Sequence, residues 1–512
     1  MERKPTLPKG VSKALFTRAV AEYRALLGDA NVIIDVDKLA PYSKIMLAVP
    51  DARHQPSGAL IVDSVDQVQK VMAICNKYKI PVWPISTGRN FGYGSAAPAT
   101  PGQLVLDMRR MNKIIEVDPE LGTALVEPGV TYVQLQEYLN ANNLPFWTSF
   151  PSSGGITGPM GNILERGAGY NRTGEHAANF CGMEVVLADG QVVRTGMGGV
   201  DNTTAWQAYR WGLGPWVDGL FLQSNYGVVT KIGVWLMKRP PAHLFFAVAY
   251  PDLETAGRGI DVMRDLRLSN ILETGIVGTT SYVLAATLKR SAIYDGEGSI
   301  PKDVYAEFLK SQNLPHYAGL SVLYGTEERI AADFKVVKEA FEKIGGTVIT
   351  EGPLISAPGV SHWHQNMVGK PSLEEFGIYN FRGGGGSMWF APVVPARGHE
   401  VVKVLTLIDG IFRKYGFDVA GGLLVYGRHL DMVVDLLFDR TKPEEMKRAY
   451  DCFNECLDAC TREGYGLYRV NTAFMEKAKK AYGPAQQDLH MRLKKALDPN
   501  GVIAPGKSGI TV

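Results

Sequence analysis

The sequence predicts an α+β protein of two lobes. Three observations carry this. Strand-like and helix-like spacings alternate from the N-terminus to about residue 238. The pair Pro240-Pro241 then interrupts the chain, and a second series of strands and helices follows. The 512 residues also exceed what one small core needs, at about 150 residues per domain.

The first lobe opens with a strand at 59–63 (ALIVD). Helical spacing of apolar positions follows at 65–78, then a strand at 81–86 (PVWPIS). Short apolar runs at 103–107, 113–117 and 122–127 are separated by Pro, Gly and Asn and read as strands. Residues 183–196 alternate about Asp189-Gly190, which predicts a hairpin. Residues 228–238 add another strand. In the second lobe, strand 244–250 precedes helices at 253–267 and 328–345.

Composition narrows the function classes. Hydrophobic residues make up 46% and charged residues 21%, as in ordinary globular enzymes. The net charge is +2, so no basic face for nucleic acid is expected. The N-terminal MERKPTLPKGVSKALFTRAV lacks the apolar run of a secretory signal. No stretch reaches the roughly 18 apolar residues of a membrane span, so a soluble protein is expected. Cys452, Cys456 and Cys460 recur at helical spacing with no His or carboxylate to complete a zinc set. They read as a buried stripe, Cys75 and Cys181 stand alone, and no disulfide framework or metal site is predicted.

Gly92 to Ala97 satisfies GxGxxA, a dinucleotide fingerprint. That fingerprint needs a helix starting at the glycines, and Pro98 and Pro101 prevent one. Residues 86–98 are instead expected to form a Gly-rich loop whose backbone N–H groups can line an anion-binding hollow.

Five segments occur in a telling order: WPISTGRNFGYGSAAP, GPMGNILERGAGY, EFGIYNFRGGGGSMWFAPV, YRVNT and DPNGVIAPGKSGI. Together they resemble the vanillyl-alcohol oxidase family, and within it the para-cresol methylhydroxylase flavoproteins. The similarity runs from about Leu7 to Ile510. It implies a fold in which residues 1–238 and 466–512 form an FAD-binding domain and 239–465 a cap over the flavin ring. It also implies oxidation of a 4-alkylphenol at its benzylic carbon.

The resemblance assigns Pro84, Ser86, Thr87, Gly88, Arg89, Asn90, Gly92, Gly161, Asn162, Gly227, Trp389 and Arg469 to the cofactor. It makes Tyr379 the covalent attachment point of FAD; His362 and His364, the nearest rival nucleophiles, lie outside the matched motif and read as exposed or core-satisfied histidines. Tyr93, Tyr468 and the cation Lys507 match the phenol-binding positions, where a phenolate must be stabilised. The methylhydroxylases have arginine in place of Lys507, and the oxidase branch tends toward lysine. Arg469 is expected to stabilise anionic reduced flavin. Glu375 matches a base that activates water, because residues 150–162 carry Ser152 and Ser153 where the oxidase branch has an aspartate. His54 matches a histidine near the flavin, with a structural or a flavin-attaching role.

Two cap positions depart from the methylhydroxylases. Gly422 stands for a glutamate and Asp431 for a histidine. Either the pocket is widened for ethyl, propyl or allyl tails, or Asp431 replaces the missing carboxylate. The chain has no CxxCH, so the c-type cytochrome implied as electron acceptor would be another subunit. The resemblance further implies a homodimer and a periplasmic location reached with a partner's help, the cytoplasm being the alternative.

Overall fold

The computed structural model describes residues 6–512. The first five residues of the N-terminal stretch read for an export signal lie outside them. No helix among the described residues is long and apolar enough to cross a membrane.

The first sheet orders its strands Val32–Ile33, Gly58–Ile61, Leu104–Asp107, Val82–Ile85. Gly58–Ile61 and Val82–Ile85 both run parallel to Leu104–Asp107. A parallel pair needs a crossover, and helix Val65–Tyr78 supplies it. Ser64 caps that helix by accepting from the Gln67 N–H, and Val68, Val71, Met72 and Cys75 face the core.

A second, antiparallel sheet follows in the order Ile114–Asp118, Thr123–Val126, Val228–Trp235, Phe180–Val186, Val192–Arg194. The expected hairpin is present, but its connection is longer than a two-residue turn. Val186 pairs with Val192, and Gly190 holds φ at +85° in the loop between them. Residues near the C-terminus rejoin the first sheet: the Val82 N–H donates to the Val502 carbonyl and Ala504 N–H to that of Val82, both at 2.8 Å.

The largest sheet has eight strands, from Ala242–Tyr250 to His429–Phe438 in chain order. Its two faces bury different things, because alternate residues of a strand point opposite ways. Phe246, Val248, Leu423, Val425, Met432 and Val434 pack beneath helices Leu253–Leu268, Glu327–Lys343, Gly398–Lys414 and Pro443–Arg462. Phe245, Ala247, Ile276, Leu424 and Val433 face the other way, among Tyr93, Tyr282, Trp363 and Trp389. Cys452, Cys456 and Cys460 are buried on the sheet-facing side of Pro443–Arg462.

Residues 91–96 form successive turns with no helix, and the next element is strand Leu104–Asp107. The GxGxxA match is therefore a loop, as the two prolines require.

Candidate functional site

A cleft runs between the first two sheets and the largest one, lined by residues of all three and of the C-terminal segment.

One part is built from loops. Pro84, Ser86, Thr87, Gly88, Arg89 and Asn90 line it, facing Gly161, Asn162 and Gly227. Among the described residues no group accepts from the backbone N–H groups of Thr87, Gly88, Arg89 or Asn90. Unpaired donors beside a cleft suit an anionic ligand such as a pyrophosphate. Asn162 is itself fixed, its Oδ1 2.5 Å from Nδ1 of buried His176.

Gly92 corrects the cofactor assignment. It does not line the cleft. Its φ is +69°, and a Cβ there would lie 2.3 Å from Cδ1 of Trp389. Glycine is required there so that the loop can lie against the Trp389 indole, which does line the cleft. His54 is also absent from the lining; it is buried, with Nδ1 2.8 Å from the Pro98 carbonyl.

At a second part the Tyr93 and Tyr468 hydroxyls lie 3.5 Å apart. The loop carrying Tyr93 is tied to the C-terminal segment by the Thr472 N–H, which donates to the Tyr93 carbonyl at 3.0 Å. Burial raises both phenols above their ordinary range, so both remain protonated donors at neutral pH. The Arg469 guanidinium sits 4.1 Å from the centre of the Tyr93 ring and donates to the Asn90 side chain.

Lys507 lines the cleft, but the principal cation acting on the tyrosine pair is Arg469, opposed by Asp435 at Tyr93 and Asp431 at Tyr468. Lys507 pairs with Glu165, whose other oxygen lies 3.9 Å from Nε of Arg469. Burial opposes ionisation of Glu165, but Lys507 and Arg469 outweigh it and hold the carboxyl below its ordinary range. Two cations against one carboxylate leave one net positive charge here. Glu165 lies inside the quoted GPMGNILERGAGY segment, where its spacing from Lys507 gave no sign of the pairing.

The third part lies under the large sheet. Glu375 and Tyr379 are four residues apart on the 3₁₀ segment Glu374–Asn380, and both line the cleft. Tyr379 stacks on Phe376 with ring centres 6.0 Å apart, and burial raises its phenol well above the usual range. Glu375 is buried rather than solvated, and accepts from the Tyr282 hydroxyl. His362 Nε2 lies 2.9 Å from its other oxygen. His362 is thus a core histidine with a carboxylate partner, as expected, while His364 is half-buried and stacks on Phe245.

Gly422 lines this part with Ile276, Trp363, Leu424 and Val433. Asp431 does not. It pairs across the strands with Leu424, and burial followed by the charge of Glu175 pushes its carboxyl up to about 7. Its charge nevertheless acts on the Tyr468 phenol of the tyrosine pair. Asp435 is buried too, 2.8 and 2.9 Å from the Ser387 hydroxyl.

The chain matches the FAD binding domain over residues 56–196 and the C-terminal domain of FAD linked oxidases over 382–508. It is 47% identical to the 4-cresol dehydrogenase [hydroxylating] flavoprotein subunit of Pseudomonas putida, covering 98% of this chain and 97% of that protein. Identity to 1'-carboxy-chondrochloren decarboxylase of Chondromyces crocatus is 28%, covering 96% of both. The structure of p-cresol methylhydroxylase with substrate bound superposes with a TM-score of 0.97 at 46% identity, covering 99% of both chains. That of 4-ethylphenol oxidase from Gulosibacter chungangensis, an isoeugenol complex, gives 0.96 at 30% identity over the same share.

Proposed function

This chain belongs to the p-cresol methylhydroxylase branch of the vanillyl-alcohol oxidase family, and from that premise we propose that it oxidises 4-alkylphenols with tails longer than methyl, adding water at the benzylic carbon. It is an FAD-dependent oxidoreductase acting on the CH groups of phenols. The observation that carries the substrate class is the Tyr93–Tyr468 hydroxyl pair beside Arg469.

A phenol gives up hydride readily only as its phenolate, and a free phenol has a pKa near 10. A buried Tyr93 hydroxyl and a half-buried Tyr468 hydroxyl, with a guanidinium against the first ring, stabilise that anion. Bound FAD supplies the hydride acceptor. Thr87 to Asn90, Gly161, Asn162 and Gly227 would hold it, and Tyr379 would bond to it covalently. The net positive charge of Lys507, Glu165 and Arg469 suits a reduced cofactor that carries negative charge. After hydride leaves, the substrate is a quinone methide, and Glu375 takes a proton from the water that adds to it. Gly422 lines the cleft with no side chain of its own beside Ile276 and Trp363, which supports a tail longer than methyl. A 4-allylphenol such as eugenol would take water at the far end of its conjugated system.

We assign the electron acceptor to a c-type cytochrome on another chain, the flavoprotein to a homodimer, and the assembly to the periplasm. The lysine at 507 and the likeness to a 4-ethylphenol oxidase support a second reading, in which oxygen takes the electrons and peroxide is released.

The test is anaerobic bleaching of the flavin by 4-methyl-, 4-ethyl-, 4-propyl- and 4-allylphenol, with and without a c-type cytochrome. Bleaching followed by cytochrome reduction is expected. Failure of every phenol to bleach the flavin would end the proposal, and fast aerobic reoxidation with peroxide would select the oxidase reading.

A further inference from the structure

Glu375 is held at both oxygens. Tyr282, from helix Thr280–Ala285, donates its hydroxyl to Oε1. His362, from helix Pro358–Met367, places Nε2 2.9 Å from Oε2. Tyr282 is itself fixed by stacking on Trp363, ring centres 5.1 Å apart and planes at 4°. One helical turn beyond His362, the Asn366 amide lies 3.0 Å from Nε2. His362 Nδ1 is buried and has no partner. For the Glu375 carboxylate to accept, the ring proton must sit on Nε2, and the Asn366 amide must then turn its unpartnered Oδ1 rather than Nδ2 toward it.

We propose that His362 and Tyr282 are positioning residues that hold the Glu375 carboxylate aimed into the cleft, so that it serves as the base for water addition. This rests on the phenol reading above. Each carboxylate oxygen uses one lone pair on its donor and keeps another for water. In the step itself, the water oxygen bonds to the benzylic carbon of the quinone methide. One water proton passes to Glu375. The exocyclic double-bond electrons move through the ring to its oxygen, which becomes phenolate. Nothing is oxidised in this step, because the hydride has already left.

Besides His362 and Tyr282, the groups that act electrostatically with Glu375 include Tyr170, Tyr379 and Asp435. With two donors fixing its oxygens, the carboxylate has one orientation toward the cleft.

Single-turnover oxidation of 4-ethylphenol by the flavin-loaded protein separates the two steps: bleaching reads hydride loss, and alcohol formation reads hydration. The variants are His362→Leu, His362→Gln and Tyr282→Phe. Leu and Phe should leave bleaching within about twofold of wild type and slow hydration roughly tenfold or more, as expected for losing a hydrogen bond to a buried charge. Glutamine, which can still donate, should recover most of the rate. Nitrogen NMR of histidine-labelled protein should show the His362 ring proton on Nε2, disturbed in Glu375→Gln. Unchanged hydration in a flavin-loaded His362→Leu protein overturns the proposal, as does an equal loss of both steps. If the leucine variant does not fold, Tyr282→Phe decides alone, since it removes one hydroxyl and keeps the ring stack. A wild type that no phenol bleaches would instead defeat the phenol reading, so the two failures are distinct.

Discussion

At the scale of residues, two tyrosine hydroxyls carry the substrate class. Removing either one leaves part of a buried anion unpaired, at about 1.5–3 kcal/mol for a hydrogen bond to charge. Tyr93→Phe and Tyr468→Phe should each lower kcat/KM for 4-alkylphenols roughly 10- to 150-fold. Because Arg469 lies over the Tyr93 ring, the ring must stay for the guanidinium to keep its place, so phenylalanine is the informative replacement. Wild-type efficiency in the double variant would remove the pair from the site. Tyr379 makes a separate case. Tyr379→Phe retains the ring between Phe91 and Phe376 and should still bind FAD through the loop contacts. After acid denaturation the variant should release its flavin while wild type keeps it on the polypeptide. Peptide mass spectrometry finding the flavin on a histidine would refute the assignment.

At the scale of elements, the strand Ala420–Val425 decides how much space the alkyl tail has. Gly422 pairs with Gly278 and Val433 on its two neighbouring strands and opens on the cleft. A Cβ there would meet Ile276 Cγ2 at 3.5 Å and Trp363 Cζ2 at 3.6 Å, ordinary contact distances. The backbone therefore accepts a side chain without strain, and a glutamate would extend into the cavity. Its walls at this point, Ile276, Trp363, Leu424 and Val433, are largely apolar. Each added methylene that fills such a gap contributes about 0.8 kcal/mol, so two favour propyl over methyl by roughly tenfold. Gly422→Glu should reverse that order by filling the gap and adding a charge that longer tails must desolvate. Competition assays across the four phenols measure it. A wild type that prefers 4-methylphenol, or a variant with the same ranking, would contradict the widened pocket.

At the scale of the whole molecule, the cleft depends on segments far apart in the chain being locked together. Lys494 is fully buried. It donates to Asp498 at 2.6 Å, to the Asn225 carbonyl at 2.6 Å and to the Ile503 carbonyl at 2.8 Å. Asp498 in turn accepts from the N–H groups of Val502 and Ile503. This clamp fixes the C-terminal segment whose Ile503, Ala504 and Lys507 line the cleft. Lys494→Met would leave Asp498 buried with no cation, a loss of about 3–5 kcal/mol. The variant should melt at lower temperature and retain less FAD, read by calorimetry and by flavin content after gel filtration. Unchanged melting and flavin content would show that the clamp does not support the site.

Much of this protein is written locally. Helix Val65–Tyr78 carries its own cap and apolar face, and the strand–helix–strand series about it follows from periods of 3.6 and 2. Pro98 and Pro101 rule out a helix after the glycines without reference to any neighbour. Tyr93, Glu375, Tyr379 and Tyr468 were legible because they sit in segments recognisable as a set. What the tertiary structure alone decided is which side chains meet. Glu165 and Lys507 are 342 residues apart, and Tyr282 and Glu375 are 93 apart. His362 stands 13 residues before Glu375, a spacing that implies no contact until a helix and a 3₁₀ segment fold over the same sheet. Asp431 reaches the site only through space: its strand keeps it out of the cleft lining, and its charge acts on Tyr468 from there. Local periodicity depends on neighbours in sequence, whereas charge pairing and hydrogen bonding depend on distance in space, which only the folded chain sets.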